Sequence, residues 1–519
     1  MPTGGELLVT ALRAHHVDVV FGIPGTHNLE IYRHLGPGRL RVVTPRHEQG
    51  AGYAADGYAR VTGRPGVVVT TSGPGLLNAA AAAGQAYSDS VPMLIVSPGM
   101  PLGHEQGSGL LHEVKDQSAA MAAVCARSER VGTLPEMLRV LASMFTDFAT
   151  GRPRPVHLEV PYDLLARTAD ITVPAAARVL PRAAEESGIR AAAAALSAAG
   201  RPALIVGGGA RNAAAEVRAL AGLLAAPTVT TANGKGVFPE GHPLSLGAGL
   251  HIPEVREFLR RADVVLAVGT ELAETDTWDE PLRLDGRLVR VDIDPSQLHR
   301  PTAAHPLAGD AAPTLARLRR ALAPRAPGRR RREVTPRSAV TAYGRRWRPL
   351  IEAVRAALPE DAALVNDSAQ VCYFGALTGF AVEQPGRFLY PTGFGTLGYA
   401  LPAAIGAAVA DPGRPVAVLT GDGGLQFTVN ELATAVELGL PLPVVVVNNG
   451  GYGMIRQEMT ERGCPPVGVD LHGPDFPALS RAYGGAGVHA AGPAELRAAV
   501  AVALTTPGPT VIEIPEPPG

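Results

Sequence analysis

Two apolar runs that each end in polar residues fix the architecture of the C-terminal part of this chain. Pro415-Val416-Ala417-Val418-Leu419-Thr420 runs into Gly421-Asp422-Gly423, a helix-length segment follows, and Val444 to Val447 then ends in Asn448-Asn449. This spacing predicts two buried parallel strands joined by a helical crossover. Ligands of open α/β sheets bind outside the carboxyl ends of the strands. Here those ends deliver a carboxylate and a carboxamide, hard oxygen donors suited to Mg2+ held together with substrate phosphates. The glycines admit close approach of backbone N–H groups to a phosphate. The spacing supports a magnesium-diphosphate site. The competing reading is a crossover whose Gly-Asp-Gly is only a tight turn, and the Asn pair ending the second strand weighs against it.

With 519 residues the chain is too long for one core. Apolar runs alternate with helix-length segments in three blocks, which predicts three doubly wound α/β domains with parallel sheets. The first spans 1–170, with strands at Val19–Phe21, Arg41–Val43, Gly66–Thr71, Met93–Val96 and Val156–Val160. The second, 187–322, has strands at Ala203–Val206, Thr228–Thr231, Val264–Val268 and Leu288–Ile293. A Pro- and Arg-rich stretch within 323–342 reads as an exposed linker, and the third block occupies 343–519. The first and third blocks share a plan.

A net charge of −1 gives no electrostatic case for nucleic acid. Cys125, Cys372 and Cys464 lack metal-ligand spacing, which fits a reducing cytosol. The N-terminal segment is too polar for a signal peptide, and no apolar run approaches the roughly 20 residues that span a bilayer. The expected setting is cytoplasmic, away from membranes.

Glu48 follows a predicted strand in Arg46-His47-Glu48-Gln49-Gly50-Ala51 and opens a helix of small residues. Alone it reads as a first-turn glutamate favoured by the helix dipole. Together, the Gly-Asp-Gly to Asn-Asn pattern and the Arg-His-Glu-Gln segment resemble the thiamine-diphosphate-dependent decarboxylase and acetolactate-synthase-like family. The likeness covers nearly the whole chain. It implies pyrimidine, central and pyrophosphate domains. It also implies a metal held by Asp422, Asn449 and the carbonyl of Gly451, with Gly423, Gly424 and Gln370 on the diphosphate. Glu48 would hydrogen-bond N1′ of the aminopyrimidine and so activate the cofactor, which supplies the carbanion chemistry. In Leu389 to Pro402, Leu397 matches the residue beneath the bent cofactor, and the backbones of Gly395 and Leu397 would pair with its pyrimidine. Thr71-Ser72-Gly73-Pro74-Gly75 through Asn78 is similar to a family turn expected to serve structure.

The implied reaction is non-oxidative decarboxylation of a 2-oxo acid through an enamine. Carboligation to a second carbonyl is the alternative, and a non-catalytic cofactor-binding protein a remote one. Leu111-His112-Glu113 departs from the acetolactate synthase pattern. The closest look is to 5-guanidino-2-oxopentanoate decarboxylases. His27 and His112 are candidate proton-transfer groups, because an imidazole titrates near working pH. Lys115, Glu458 and Asp470 are weaker candidates for substrate charges, solvated side chains being the rival reading. In the central block, Gly207-Gly208-Gly209 and Lys235 invite a nucleotide reading, yet a lone glycine-rich turn is weak evidence, and FAD is not expected. The resemblance further implies a homodimer or homotetramer with the active site between subunits.

Overall fold

The computed structural model describes residues 1–278, 281–284, 287–323 and 336–518. Among the described residues seventeen strands form three parallel sheets. The first sheet holds β1 (Val19–Gly22), β2 (Arg41–Val43), β3 (Gly66–Val69), β4 (Met93–Gly99), β5 (Arg127–Arg130) and β6 (Val156–Pro161), ordered β2-β1-β3-β4-β6-β5. The central sheet holds β7 (Pro202–Val206), β8 (Thr228–Thr230), β9 (Val264–Val268), β10 (Leu288–Asp292) and β11 (His305–Ala308), ordered β11-β10-β9-β7-β8. The third holds β12 (Ala363–Asn366), β13 (Phe388–Leu389), β14 (Val416–Gly421), β15 (Leu442–Asn448), β16 (Ala486–His489) and β17 (Pro509–Pro515), ordered β13-β12-β14-β15-β17-β16. The first and third sheets repeat one permutation. Their shared plan is therefore topological, as the sequence pattern suggests.

The inner strands are largely apolar because helices cover both faces of a parallel sheet, with buried exceptions such as His157 and Glu159 in β6 and Arg290 in β10. Val67, Val68, Val69, Leu94, Ile95 and Val96 are all essentially inaccessible. Edge strand β5 reads Arg-Ser-Glu-Arg. Charge blunts an edge, and it also hides the strand from a hydrophobicity search.

By compactness the chain divides into two units. One comprises Met1–Val179, Gly393–His489 and Val502–Glu513; the other comprises Leu180–Thr392, Ala490–Ala501 and Ile514–Gly519. Of the proposed linker 323–342, residues 324–335 lie outside the described residues, and Arg337–Ala342 is helical.

Within the first unit, the helix Glu48–Thr62 packs directly on the helix Ala400–Ala410. Their glycines make this possible. A Cβ on Gly57 would overlap the carbonyl of Ala403, and one on Gly406 would overlap the carbonyl of Ala54. Close backbone approach is what a small-residue helix achieves at the cost of helix propensity. Buried Asp56, Arg60, Asp89 and Tyr399 tie the pair together: Arg60 Nε donates to Asp56 at 2.6 Å, its Nη2 to Asp89 at 2.7 Å, and Tyr399 Oη to Asp56 at 2.6 Å. Removing one member of such a network leaves a buried charge without its partner, which is strongly destabilising.

Candidate active site

β14 ends at Gly421 and the chain turns into the short helix Asp422–Leu425. Asp422 is only 4 % exposed. Burial pushes its carboxyl above the ordinary carboxylate value, while N–H groups of Asn449, Gly423 and Gly451 act in the opposite direction. The backbone N–H of Asn449 donates to Asp422 Oδ1 at 3.3 Å. Register pairs Gly421 with Val447, so the two strand ends stand side by side. Asn449 Oδ1 is buried without a hydrogen-bond partner. The Gly451 carbonyl lies beside Gly423, 3.3 Å from where a Cβ on Gly423 would fall. A buried carboxylate, an unpaired amide oxygen and a carbonyl make an all-oxygen donor set, which fits Mg2+ and its diphosphate. Gly423 and Gly424 are buried in the same turn.

Glu48 is the first residue of the helix Glu48–Thr62 and is 9 % exposed. His47 caps the helix, its Nδ1 accepting from the N–H of Gln49 at 3.2 Å. Asn78 Nδ2 donates to Glu48 Oε2 at 3.0 Å. A Cβ on Gly75 would lie 3.0 Å from Glu48 Oε1. The turn from Thr71 to Asn78 therefore holds the Glu48 carboxylate, a task beyond the structural role its sequence suggests.

The same turn reaches the two candidate histidines. His27 Nδ1 lies 2.6 Å from Ser72 Oγ, and Ser72 Oγ lies 3.5 Å from His112 Nδ1. The His27 ring stacks on Tyr162 at 4.8 Å and meets His112 edge-on at 5.2 Å. Gly73, with φ +60°, has its α-carbon against His112, itself at φ +62°. Burial and then His112 lower the pKa of His27, favouring neutral imidazole. Asn28 pins the His27 loop by accepting from Gly25 N at 2.8 Å and donating to the Ile23 carbonyl at 3.0 Å. An open cavity of about 400 Å³ is lined by Thr26, His27, Leu29, Glu30 and Tyr162. Tyr162 carries no motif signal and emerges only in three dimensions, whereas Ser72 belongs to the turn already singled out in sequence and only its contacts with the histidines are new.

The loop Gly393–Gly398 belongs to the same unit. Gly395 has φ +63° and open space where a side chain would go, and Leu397 is half-buried. Thr428 Oγ1 donates to the Gly398 carbonyl at 2.7 Å, joining this loop to the segment after the Asp422 turn. Gln370 falls in the second unit, just before the π-helical turn Val371–Ala376.

The weaker candidates are otherwise engaged. Asp470 pairs with Arg456 at 2.6 Å and Glu458 with Arg462 at 3.4 Å, while Lys115 is exposed. In the central domain Lys235 is buried, bound to Glu240 at 2.7 Å and to the Leu377 carbonyl at 2.9 Å. Its charge is spent internally.

An acidic residue opening a helix on one six-stranded sheet, and an oxygen-donor turn on a second sheet of identical topology, define a diphosphate-cofactor enzyme of the α/β class. Residues 2–121 match the N-terminal TPP binding domain of thiamine pyrophosphate enzymes, residues 189–318 the central domain and residues 369–514 the C-terminal TPP binding domain. The chain is 45 % identical to the "Probable 2-ketoarginine decarboxylase AruI" of Pseudomonas aeruginosa, over 93 % of this chain and 88 % of that protein. It is 34 % identical to the acetolactate synthase isozyme 1 large subunit of Escherichia coli, over 88 % of this chain and 84 % of that one. It is 33 % identical to the acetolactate synthase large subunit of Corynebacterium glutamicum, over 88 % and 76 %. The chain belongs to the thiamine pyrophosphate enzymes, and within them to the thiamine-diphosphate-dependent decarboxylases and carboligases. Among the described residues no helix is long and apolar enough to cross a membrane.

Proposed function

We propose that this enzyme decarboxylates a 2-oxo acid bearing a cationic, guanidino-type side chain and releases an aldehyde. The supporting observation is the Thr71–Asn78 turn, which touches Glu48 through Gly75 and Asn78 and the two histidines through Ser72 and Gly73. A decarboxylase must protonate the carbon that loses carbon dioxide, and here two imidazoles sit on the turn that holds the activating carboxylate. The likeness to a probable 2-ketoarginine decarboxylase supports the substrate class.

Asp422 and Asn449 Oδ1, with the Gly451 carbonyl, would hold Mg2+. Gly423 and Gly424 would take the diphosphate, and Gly395 and Leu397 the pyrimidine. Bound there, thiamine diphosphate supplies the electron sink for loss of carbon dioxide. Glu48, oriented by Asn78, would hydrogen-bond the pyrimidine and so activate the cofactor. Ser72 engages His27 Nδ1 and leaves Nε2 to carry the mobile proton. The working form is a cytoplasmic homodimer or homotetramer in which Glu48 and Asp422 of different chains serve one cofactor. Acetolactate-synthase-like carboligation is the second reading, favoured by the relatives at 33 to 34 % identity.

A panel of basic, aliphatic and aromatic 2-oxo acids, with and without an aldehyde acceptor, separates the two. The expected result is carbon dioxide and an aldehyde from the guanidino acid, unchanged by the acceptor. Dominant acyloin or 2-hydroxy acid product would replace decarboxylation by carboligation. A preference for pyruvate would overturn the substrate class.

A further inference from the structure

We propose that Glu431 is a positioning residue for Glu48, clamping the backbone of the turn that aims it. Glu431 opens the helix Glu431–Glu437 and is 1 % exposed. Its carboxylate accepts from the N–H of Arg46 at 3.1 and 3.2 Å and from the N–H of His47 at 3.1 Å. Thr434 Oγ1 donates to it at 2.6 Å and Asn430 Nδ2 at 3.1 Å. Every donor is neutral; the Arg46 guanidinium is turned away onto Glu437 and the Thr44 carbonyl. Burial pushes the Glu431 carboxyl up, and these donors hold it back toward the charged form.

Arg46 and His47 are the two residues before Glu48, and His47 is its helix cap. Their N–H groups precede the helix and cannot be satisfied within it. A side chain from the far end of the sequence satisfies them. Position 50 carries the complement of this contact. A Cβ on Gly50 would overlap the Glu431 carboxylate, so Gly50 and Glu431 fit as a pair. Glu48 is thus fixed twice, by Glu431 through its backbone and by Asn78 through its carboxylate. Glu431 also lies on the segment leaving the Asp422 turn, so that segment is hydrogen-bonded to the Glu48 turn.

The inference rests on reading Glu48 as the activating carboxylate, and the test separates the two claims. Glu431→Gln, Glu431→Asp and Glu48→Gln are compared with the parent protein. Deuterium uptake of the 44–50 peptide is followed in the apoprotein, and C2-proton exchange of thiamine diphosphate in the magnesium-loaded protein. Glu431→Gln should raise uptake in that peptide alone, leave cofactor affinity unchanged and slow C2 exchange about 10- to 100-fold, the penalty of a misplaced catalytic group. Glu431→Asp, which keeps the charge, should recover part of the exchange rate; it also carries the test should the Gln variant fail to fold. Unchanged uptake or unchanged C2 exchange overturns the proposal, as does protection lost equally across the unit. If Glu48→Gln itself retains C2 exchange, the reading of Glu48 falls. If only Glu431→Gln retains it, the positioning role falls alone.

Discussion

Two glycine-rich turns in this protein follow the same local pattern and do opposite things. After β14 comes Gly421-Asp422-Gly423; after β7 comes Gly207-Gly208-Gly209. In the first, a carboxylate and an unpaired amide oxygen are buried with no side chain opposite to satisfy them. In the second, the chain satisfies itself. Gly207 N donates to the Val268 carbonyl at 2.9 Å and Gly209 N to the Gly269 carbonyl at 3.0 Å. A Cβ on Gly207 would overlap the Gly269 carbonyl, and Gly234 approaches the Val206 carbonyl as closely. The β7 glycines let two backbone turns touch, whereas Gly423 brings the Asp422 turn against Tyr452 and the Gly451 carbonyl, beside an amide oxygen left unpaired. Glycine content does not separate these roles. The number of polar groups left without an internal partner does.

The largest way to break this comparison is Asp422→Ala against Gly208→Ala. Altering even the residues that support metal ligands costs 10- to 100-fold, so loss of Asp422 should weaken magnesium-dependent cofactor binding by about 100-fold or more. Gly208→Ala should leave the affinity unchanged by titration calorimetry. Equal losses would make both turns cofactor sites, and no loss at Asp422 would remove the metal assignment.

A second pair reads stability without cofactor. Gly207→Ala forces a methyl into the Gly269 backbone and should destabilise the protein by about 1–3 kcal/mol in urea. Asp422→Asn should do the reverse in the metal-free protein. Burial raises the native-state pKa of Asp422, so ionising it at neutral pH costs native stability. Removing the charge should raise Tm, by about 1 °C per kcal/mol regained in a chain of 519 residues. A fall in Tm would mean that the Asp422 turn is itself a packing device. The sign is what matters: a site that binds metal stores unfavourable burial that the ion relieves.

This contrast also explains what was legible in the sequence. The sheets were readable because most inner strands are apolar runs; Asp422 and Asn449 each follow such a run, while Glu48 follows the short edge strand β2. The residues that complete the site were not. Asn78 acts on Glu48 across 30 residues and Glu431 on His47 across 384. No periodicity encodes either contact. Ser72 reads in sequence only as part of a turn, and Tyr162 not at all; their contacts with His27 show only in the fold. Strand β5 escaped detection because edge strands exchange apolar residues for charge. Asp470, by contrast, offered a chargeable motif for a guanidinium, and the fold had already given it one of its own in Arg456.

The last effect appears only in acid, and it concerns the buried histidine of each compact unit. His157 in the first unit is fully buried between Ser97 and Ser128, at 2.8 Å from each, and burial lowers its pKa to about 3. His251 in the second is stacked on Trp278 at 4.2 Å, and burial, then Arg256, lowers it to about 4. Each binds its proton more readily unfolded, near the ordinary value of 6.5. The stability each neutral ring confers is therefore complete above that pH and declines as pH falls toward the native value. One such proton gives a slope of about 1.4 kcal/mol per pH unit. Both tryptophans, Trp278 and Trp347, lie in the second unit, so their fluorescence follows that unit while calorimetry follows the whole. His251→Asn should flatten the fluorescence-detected slope between about pH 6.5 and 4, and His157→Asn should flatten only the calorimetric one, down to about pH 3. If His157→Asn also flattens the fluorescence-detected slope, the two units unfold as one cooperative block.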